Sequence, residues 1–237
     1  MLRVAMLSGW HVHAKDYAKQ ISQMDNAKIT AVWDELPERG RKWAEELGAT
    51  FEEDLSALLR RDDVDAVIVD TPTDRHPEVM IAAARACKHI FTEKVMALTV
   101  KECMAIADAV EKANVKFCIS FPHRTFPANL FAGKAVEEKW LGDITLLRVR
   151  NAHNGAVGNW LPAHFYDPKA CGGGAMMDLG AHPMYLSRWL LGKPRNIGSV
   201  FNNYTGRAVE DNAVSVIEFE NKAIAIVETG FVTPASP

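Results

Sequence analysis

Two short segments of the sequence hold side chains that can transfer protons. Lys94 follows the apolar run His89–Thr92, at the end of a predicted strand. Ligands of open α/β sheets bind outside the carboxyl ends of the strands, so an ammonium there can stabilise negative charge on a substrate hydroxyl. Asp178 and His182 are four residues apart, which places both on one face of a predicted helix. Because histidine titrates near neutral pH and a carboxylate stabilises its charged form, this pair predicts acid–base chemistry.

The surroundings of these residues leave a second interpretation open. Three consecutive glycines, Gly172 to Gly174, precede the predicted helix and would let the backbone approach a ligand closely. The same pattern fits a capped helix whose His182 is satisfied in the core. Lys94 likewise fits a surface lysine at a strand end that pairs with Glu93.

The first strand is followed by a turn typical of dinucleotide-binding sites. Gly9 and Ala14 occupy the outer positions of the G-x-G-x-x-G/A pattern, and His11 replaces the middle glycine. A side chain there should push the phosphates outward or force another loop path, although the following helix start still attracts an anion. A turn whose histidines pack locally is the alternative.

Asp34 ends the second predicted strand, where an acidic side chain can accept hydrogen bonds from the adenosine ribose. A carboxylate there repels a 2′-phosphate, which favours NAD over NADP. A polar residue that starts a loop is the alternative. Arg39 and Arg41 occupy positions of the next helix and are expected to be solvated.

The elements that must position these residues change character near residue 120. Up to that point short apolar strands alternate with amphipathic helices, which predicts an α/β Rossmann domain with a parallel sheet at 1–120. The remainder, 121–237, predicts an α+β domain with a largely antiparallel open sheet. It contains a helix at 126–140, a strand at 144–151, a glycine-rich loop at 155–174, a helix at 175–191 and three final strands.

Composition excludes several classes of function. The net charge of −3 and the absence of a basic stripe argue against a nucleic-acid partner, and no apolar run is long enough to span a membrane. The four cysteines are scattered, which is typical of a reduced chain with buried thiols, and we expect a cytoplasmic protein without a signal peptide. His11 and His13 lie close together but lack a matched set of ligands, so no metal site is expected.

The two catalytic segments together resemble the Gfo/Idh/MocA oxidoreductase family, which includes glucose–fructose oxidoreductase and inositol 2-dehydrogenase. Glu93-Lys94 with Ala97 is similar to the family's E-K-P-x-A motif, and the segment from Gly172 to His182 is similar to G-G-G-x-x-x-D-x-G-x-H. The resemblance spans nearly the whole chain. The family's second domain is usually longer, so a C-terminally truncated chain is expected. The prolines in Thr233–Pro237 could instead blunt the open edge of a sheet that ends there.

The resemblance implies an NAD-dependent dehydrogenase acting on the CH–OH group of a sugar, polyol or inositol. His182 would be the general base, Lys94 would lie near the nicotinamide, and Asp178 would position the substrate. The residues implied or indicated at the cofactor are Gly9, His11, Ala14, Asp34, Thr71, Pro72, His76, Glu93 and Lys94. Polar and aromatic side chains suited to a sugar pocket are Arg124, His153, Trp160 and Tyr166.

Three departures from the family pattern affect the expected site. Val95 replaces the usual proline and Tyr185 replaces an aspartate often found three residues after the histidine. His11 replaces a glycine of the phosphate loop. Two further functions stay open: an NAD-dependent glycosidase that oxidises its substrate transiently, and a dinucleotide-binding regulator without activity. The resemblance also implies a homo-oligomer, a dimer or tetramer, that forms through the open sheet.

Overall fold

The computed structural model describes residues 1–234. The chain divides into two compact units, of which the first is Met1–Ser120 and the second begins at Phe121. The last residues of the sequence, 235–237, lie outside the described part. The suggested role of Pro237 at a sheet edge therefore stays untested.

The first unit is a Rossmann-like fold built on a parallel sheet. Its strands lie in the order β3-β2-β1-β4-β5-β6. They are β1 (Leu2–Leu7), β2 (Ala27–Trp33), β3 (Thr50–Phe51), β4 (Ala66–Val69), β5 (His89–Thr92) and β6 (Phe117–Ile119). The helices are α1 (Ala14–Ser22), α2 (Pro37–Leu47), α3 (Leu55–Leu59), α4 (His76–Arg85) and α5 (Val100–Ala113). Because β1 lies between β2 and β4, the winding reverses there, and the carboxyl ends of β1 and β4 border the usual ligand crevice.

Both faces of this sheet are covered, as the apolar β1 and β4 sequences predict. Ala5 and Leu7 of β1 pack into the cluster formed with α4 and α5. Val4 and Met6, which point to the opposite face, pack into the cluster formed with α1 and α2. The expected parallel α/β class is confirmed.

The second unit carries a mixed sheet in the order β7-β10-β9-β8. Its strands are β7 (Leu146–Ala152), β8 (Pro194–Asn202), β9 (Asn212–Phe219) and β10 (Ile224–Gly230). Two pairs are antiparallel and β10 pairs with β7 in parallel. The largely antiparallel character is confirmed, but the expected open edge at the last strand is wrong. β10 is an interior strand, and the edges are β7 and β8.

Helices of the second unit are shorter than the sequence predicts. They are α6 (Pro127–Glu137), α7 (Pro168–Cys171), α8 (Ala175–Asp178) and α9 (Ala181–Leu191). The predicted single helix at 175–191 is therefore wrong, because it breaks at Leu179–Gly180. Pro183 has no N–H to give to the Leu179 carbonyl. That carbonyl instead accepts the backbone N–H of His182 at 3.2 Å and the side-chain amide of Asn151 at 3.1 Å.

Two smaller expectations also need correction. The predicted loop at 155–174 contains a 3₁₀ turn, Ala163–Tyr166, as well as α7. The cysteines are free, but only Cys171 is buried, whereas Cys87 and Cys118 are exposed. Within residues 1–234, no helix is both long and apolar enough to cross a membrane.

Candidate active site

The turn between β1 and α1 is held from both sides by neighbouring strands. The backbone N–H of Gly9 donates to Asp34 at 2.9 Å, and the N–H of His11 donates to the Asp70 carbonyl at 3.1 Å. Ala14 is the first residue of α1 and is buried. His11 is buried as well, so its ring points into the protein and does not extend into solvent. The loop therefore accommodates the His11 side chain at the position where the usual pattern has a glycine.

Asp34 is buried at the end of β2, but its oxygens are engaged by this chain. Besides Gly9, the backbone N–H of Leu36 donates to it at 2.8 Å. Arg39 donates to both of its oxygens, at 2.8 and 2.7 Å. The expectation that Arg39 is solvated is wrong, since its side chain is 31% exposed and also binds Glu35. A ribose could reach Asp34 only if Arg39 moved.

The turn after β4 contains buried polar atoms. Thr71 is buried, and Pro72 leads into a 3₁₀ turn, Thr73–Arg75. Both ring nitrogens of His76 contact carbonyl oxygens: Nδ1 that of Val95 at 2.9 Å, and Nε2 that of Thr71 at 3.1 Å. Burial lowers the pKa of His76. His76 therefore ties the Thr71 turn to the segment after β5 and is enclosed by protein.

Glu93 and Lys94 come directly after β5, and both are buried. Glu93 accepts hydrogen bonds from Tyr17 and from the backbone N–H of Lys94, the latter at 3.0 Å, and contacts His13 Nδ1 at 2.9 Å. Burial alone would raise the pKa of Glu93, but His13, the charge of His11 and Tyr17 lower it to about 2. Glu93 is thus a buried carboxylate at neutral pH. Its contact with Lys94 is through the backbone, and the Lys94–Val95 peptide is cis.

The glycines before α8 serve a packing role within the second unit. A Cβ on Gly174 would lie 1.9 Å from the carbonyl oxygen of Glu210. The Glu210 carboxylate accepts the backbone N–H groups of Gly174 and Met176 at 2.8 and 2.9 Å. The close approach that the glycines were expected to give a ligand is, at Gly174, an approach to this chain's own backbone. Asp178 ends α8, so the helix break separates it from His182.

His182 lies at the start of α9 with two aromatic neighbours. Its Nδ1 is 2.8 Å from the Tyr185 hydroxyl, and its ring stacks on His123 with 4.2 Å between centroids. The Tyr185 oxygen accepts the backbone N–H of His123 at 3.1 Å. The Tyr185 hydroxyl and His182 Nδ1 can exchange the roles of donor and acceptor, depending on which ring nitrogen carries the proton.

Three of the four predicted sugar-pocket residues meet in one aromatic cluster. The His153 ring stacks on Phe231 at 5.2 Å and lies 4.5 Å from Trp160. Tyr166 meets Phe231 edge-on, and burial raises the pKa of its hydroxyl. Arg124 lies elsewhere, exposed, over the ring of Trp189 at 4.9 Å.

Several residues of these sites gave no signal in the sequence. Tyr17 and Asp70 of the first unit are single polar residues that only the fold brings to Glu93. His123 and Tyr185 are 62 residues apart. Tyr185 is a visible departure from the family pattern. The signal for its contact with His182 is the i, i+3 spacing of the two residues on a helix.

The sequence matches known families over nearly its full length. Residues 2–121 match the family model described as the oxidoreductase family with an NAD-binding Rossmann fold. Residues 130–237 match that of the GFO/IDH/MocA C-terminal domain.

The chain belongs to the GFO/IDH/MocA oxidoreductase family.

Curated relatives of this GFO/IDH/MocA protein include two bacterial enzymes. The scyllo-inositol 2-dehydrogenase (NAD(+)) of Bacillus subtilis (strain 168) is 29% identical over 94% of this chain and 65% of its own length. The 2,7-anhydro-N-acetylneuraminate hydratase of Escherichia coli (strain K12) is 31% identical over 91% of this chain and 58% of its own length. The chain thus spans less than two thirds of either relative.

Solved structures share the GFO/IDH/MocA fold. Levoglucosan dehydrogenase in complex with NADH and levoglucosan superposes with a TM-score of 0.88 at 26% identity, covering 98% of this chain and 68% of that one. The first unit is accordingly an NAD-binding Rossmann domain.

The crevice of this GFO/IDH/MocA unit fits a dinucleotide in part. At the carboxyl end of β4, no hydrogen-bond partner within residues 1–234 reaches the buried carboxylate oxygens of Asp70 or the buried hydroxyl of Thr71. Buried polar atoms in native proteins are normally satisfied, so these groups are suited to a polar ligand. Asp34 fits less well, because Arg39 and the backbone already occupy it.

Proposed function

We propose that this chain is the NAD-binding and catalytic part of a dehydrogenase acting on a hydroxyl of a sugar, polyol or inositol. The observation that carries the proposal is Lys94, a lysine only 7% exposed, directly after β5 in a Rossmann unit of an oxidoreductase family. Desolvating an ammonium is costly, so such a residue is expected to have a role. When bound, NAD supplies the hydride acceptor.

His182 is the proposed general base. To take a proton at Nε2, its ring must carry the other proton on Nδ1, which then donates to the Tyr185 oxygen. The Tyr185 hydroxyl can adapt by rotation, since it both donates and accepts. Lys94 would stabilise the developing alkoxide, and Asp178 would orient the substrate near the base. The hydroxyl proton would leave through His182 while the carbon is oxidised.

The test is an assay of NADH formation with inositols, aldoses and levoglucosan, using the whole natural protein. Lys94→Met should lower kcat about 100- to 1,000-fold with at least one substrate. Lys101→Met, an exposed lysine at the start of α5, is the matched control and should keep full activity. Tight NAD binding without NADH from any substrate would contradict the proposal and favour the regulator.

The second candidate function is that of an enzyme that oxidises its substrate transiently. The relative named as a hydratase favours it. Its name implies addition of water, without net redox change. The glycosidase version predicts release of an aglycone from a sugar glycoside in the presence of NAD, with no net NADH. Accumulation of NADH in step with product would exclude this version.

The open sheet of the second unit supports a homo-oligomer. Apolar side chains stand exposed on both faces of β8 and β9: Val200, Val214 and Val216 on one face, and Ile197 and Phe201 on the other. Exposed apolar patches of this kind mark association surfaces. Phe201→Asp should lower the oligomer mass measured by light scattering, and an unchanged monomer in both proteins would contradict this proposal.

A further inference from the structure

The three side chains that meet beside the β1–α1 turn have the chemistry of metal ligands. We propose that His11, His13 and Glu93 form a binding site for one divalent transition-metal ion, such as Zn²⁺. The sequence shows the two histidines as an H-x-H pair but separates His13 from Glu93 by 80 residues, so the third ligand becomes visible only in the fold. The inference concerns metal binding alone and does not depend on the proposed dehydrogenase activity.

The ligand atoms already have nearly the required separation. One atom from each of the three side chains lies within 4.8 Å of the others. Nδ1 of His13 is 2.9 Å and Nδ1 of His11 is 4.0 Å from the same Glu93 oxygen. Tetrahedral coordination at about 2.0–2.1 Å places ligand atoms about 3.3 Å apart. Shifts of about 1 Å or less at these side chains would therefore complete the coordination.

Metal binding would replace contacts that already exist within the cluster. The backbone N–H of His13 donates to Nδ1 of His11 at 3.3 Å, a long hydrogen bond. The contact between His13 and Glu93 would become a shared bond to the ion. Lys94 would still donate its backbone N–H to the other Glu93 oxygen, at 3.0 Å, and hold the carboxylate in place. Such fixing of a ligating carboxylate is typical of metal sites.

A buried carboxyl group beside the site is a second observation that points to a cation. Asp70 is 0% exposed, and within residues 1–234 neither of its oxygens has a hydrogen-bond partner. Asp70 adjoins the proposed ligands, because its backbone carbonyl accepts the N–H of His11 at 3.1 Å, and Glu93 is buried as well. Two buried carboxyl groups that repel each other are an unfavourable arrangement without added positive charge. A divalent ion held by Glu93 would reverse that local field.

The ligand types select the class of metal. Two imidazoles and one carboxylate are typical of Zn²⁺ and other transition metals, whereas Ca²⁺ and Mg²⁺ prefer oxygen ligands alone. The His13 side chain is 46% exposed, while those of His11 and Glu93 are 6% and 2% exposed. Entry is therefore from the His13 side. Three protein ligands leave a fourth position for water or another small ligand.

The test is a titration of chelator-treated protein with Co²⁺, followed by displacement with Zn²⁺. Visible absorption bands of four- or five-coordinate Co²⁺ should saturate at one equivalent and disappear when Zn²⁺ is added. His13→Ala and His11→Gly should each weaken Co²⁺ affinity by at least about 100-fold. His11→Gly restores the glycine of the ordinary loop pattern, so this variant should fold even if the other does not.

His89→Ala is the matched control, because His89 is an exposed histidine of the same unit outside the cluster. It should bind Co²⁺ with the wild-type affinity and spectrum. The proposal is overturned if no saturable one-equivalent spectrum appears. It is also overturned if folded His11→Gly protein binds as tightly as the wild type, or if His89→Ala loses binding to the same extent.

Discussion

Each unit of this protein brings together two histidines and a tyrosine, but their partners differ in charge. In the first unit His13 and Tyr17 contact the ionised, buried Glu93, and His11 lies 4.0 Å from it. In the second unit His182 contacts the neutral hydroxyl of Tyr185 and stacks on His123. The residue types are similar, and these contacts differ because Glu93 is charged whereas the Tyr185 hydroxyl is neutral.

That difference in charge separates the chemistry of the two clusters. A buried carboxylate stabilises positive charge, so the first cluster is suited to hold a cation. A phenol hydroxyl holds the ring in one orientation, and His182 is the residue proposed to carry a proton in the second unit. Histidine is therefore proposed as a metal ligand in the first unit and as a proton carrier in the second.

Removal of the proton carrier should have the largest effect. His182→Asn keeps a polar side chain but cannot accept a proton at neutral pH, and kcat should fall about 100- to 10,000-fold. His89→Asn should leave kcat unchanged. Steady-state assays of NADH formation measure both, and a His182→Asn protein with more than half of the wild-type kcat would exclude His182 as the base.

The buried carboxyl group of Asp70, in the first unit, should lower the free energy of unfolding at neutral pH. The folded-state pKa of Asp70 is raised, so its contribution to stability is present at pH values below the unfolded pKa and is lost as pH rises toward the folded value. Asp70→Asn does not titrate and should raise the free energy of unfolding at pH 7 by about 1–3 kcal/mol, with a smaller gain at pH 4.

Denaturant melts at the two pH values test this prediction in metal-free protein. Asp62→Asn, which changes an exposed aspartate, is the control and should change stability little at either pH. If Asp70→Asn raised the free energy of unfolding equally at pH 4 and pH 7, or lowered it at pH 7 alone, ionisation of Asp70 would not be the cause.

Substitution of Tyr185, which contacts His182, should have the smallest effect. The change should appear mainly in the pH dependence of kcat/KM. Tyr185→Asp adds a carboxylate that favours the imidazolium and should move the acidic limb of kcat/KM to higher pH by about one unit. Tyr185→Phe should lower kcat about tenfold and leave that limb in place. Tyr204→Phe, at an exposed tyrosine, is the control. Identical profiles for Tyr185→Asp and wild type would contradict the assigned contact.

Much of the fold was predictable where the signals are local. The bounds of α2 follow from local signals, because Pro37 starts the helix and Gly48 ends it with a φ of 62°. A capping box of Thr99 and Glu102 likewise fixes the start of α5. The parallel class followed from the apolar β1 and β4 strands.

The remaining features depend on contacts between distant segments. The interior position of β10 requires its pairing with β7, and the sequence carries no mark of that register. The close approach of Gly174 to Glu210 joins residues 36 apart. The Arg39 ion pair with Asp34 was missed because helix periodicity shows which face a residue occupies, and not which carboxylate it reaches. Roles of Lys94, Asp178 and His182 stay predictions.

We propose that Lys94 and His182 act on the same substrate hydroxyl, and a double-variant cycle measures whether they do. We would measure kcat/KM for Lys94→Met, His182→Asn and the double variant with the best substrate. Groups that act on the same proton transfer are strongly non-additive, so the double variant should be within about threefold of the slower single variant. If the two losses multiply in full, the residues act independently and do not share one proton transfer.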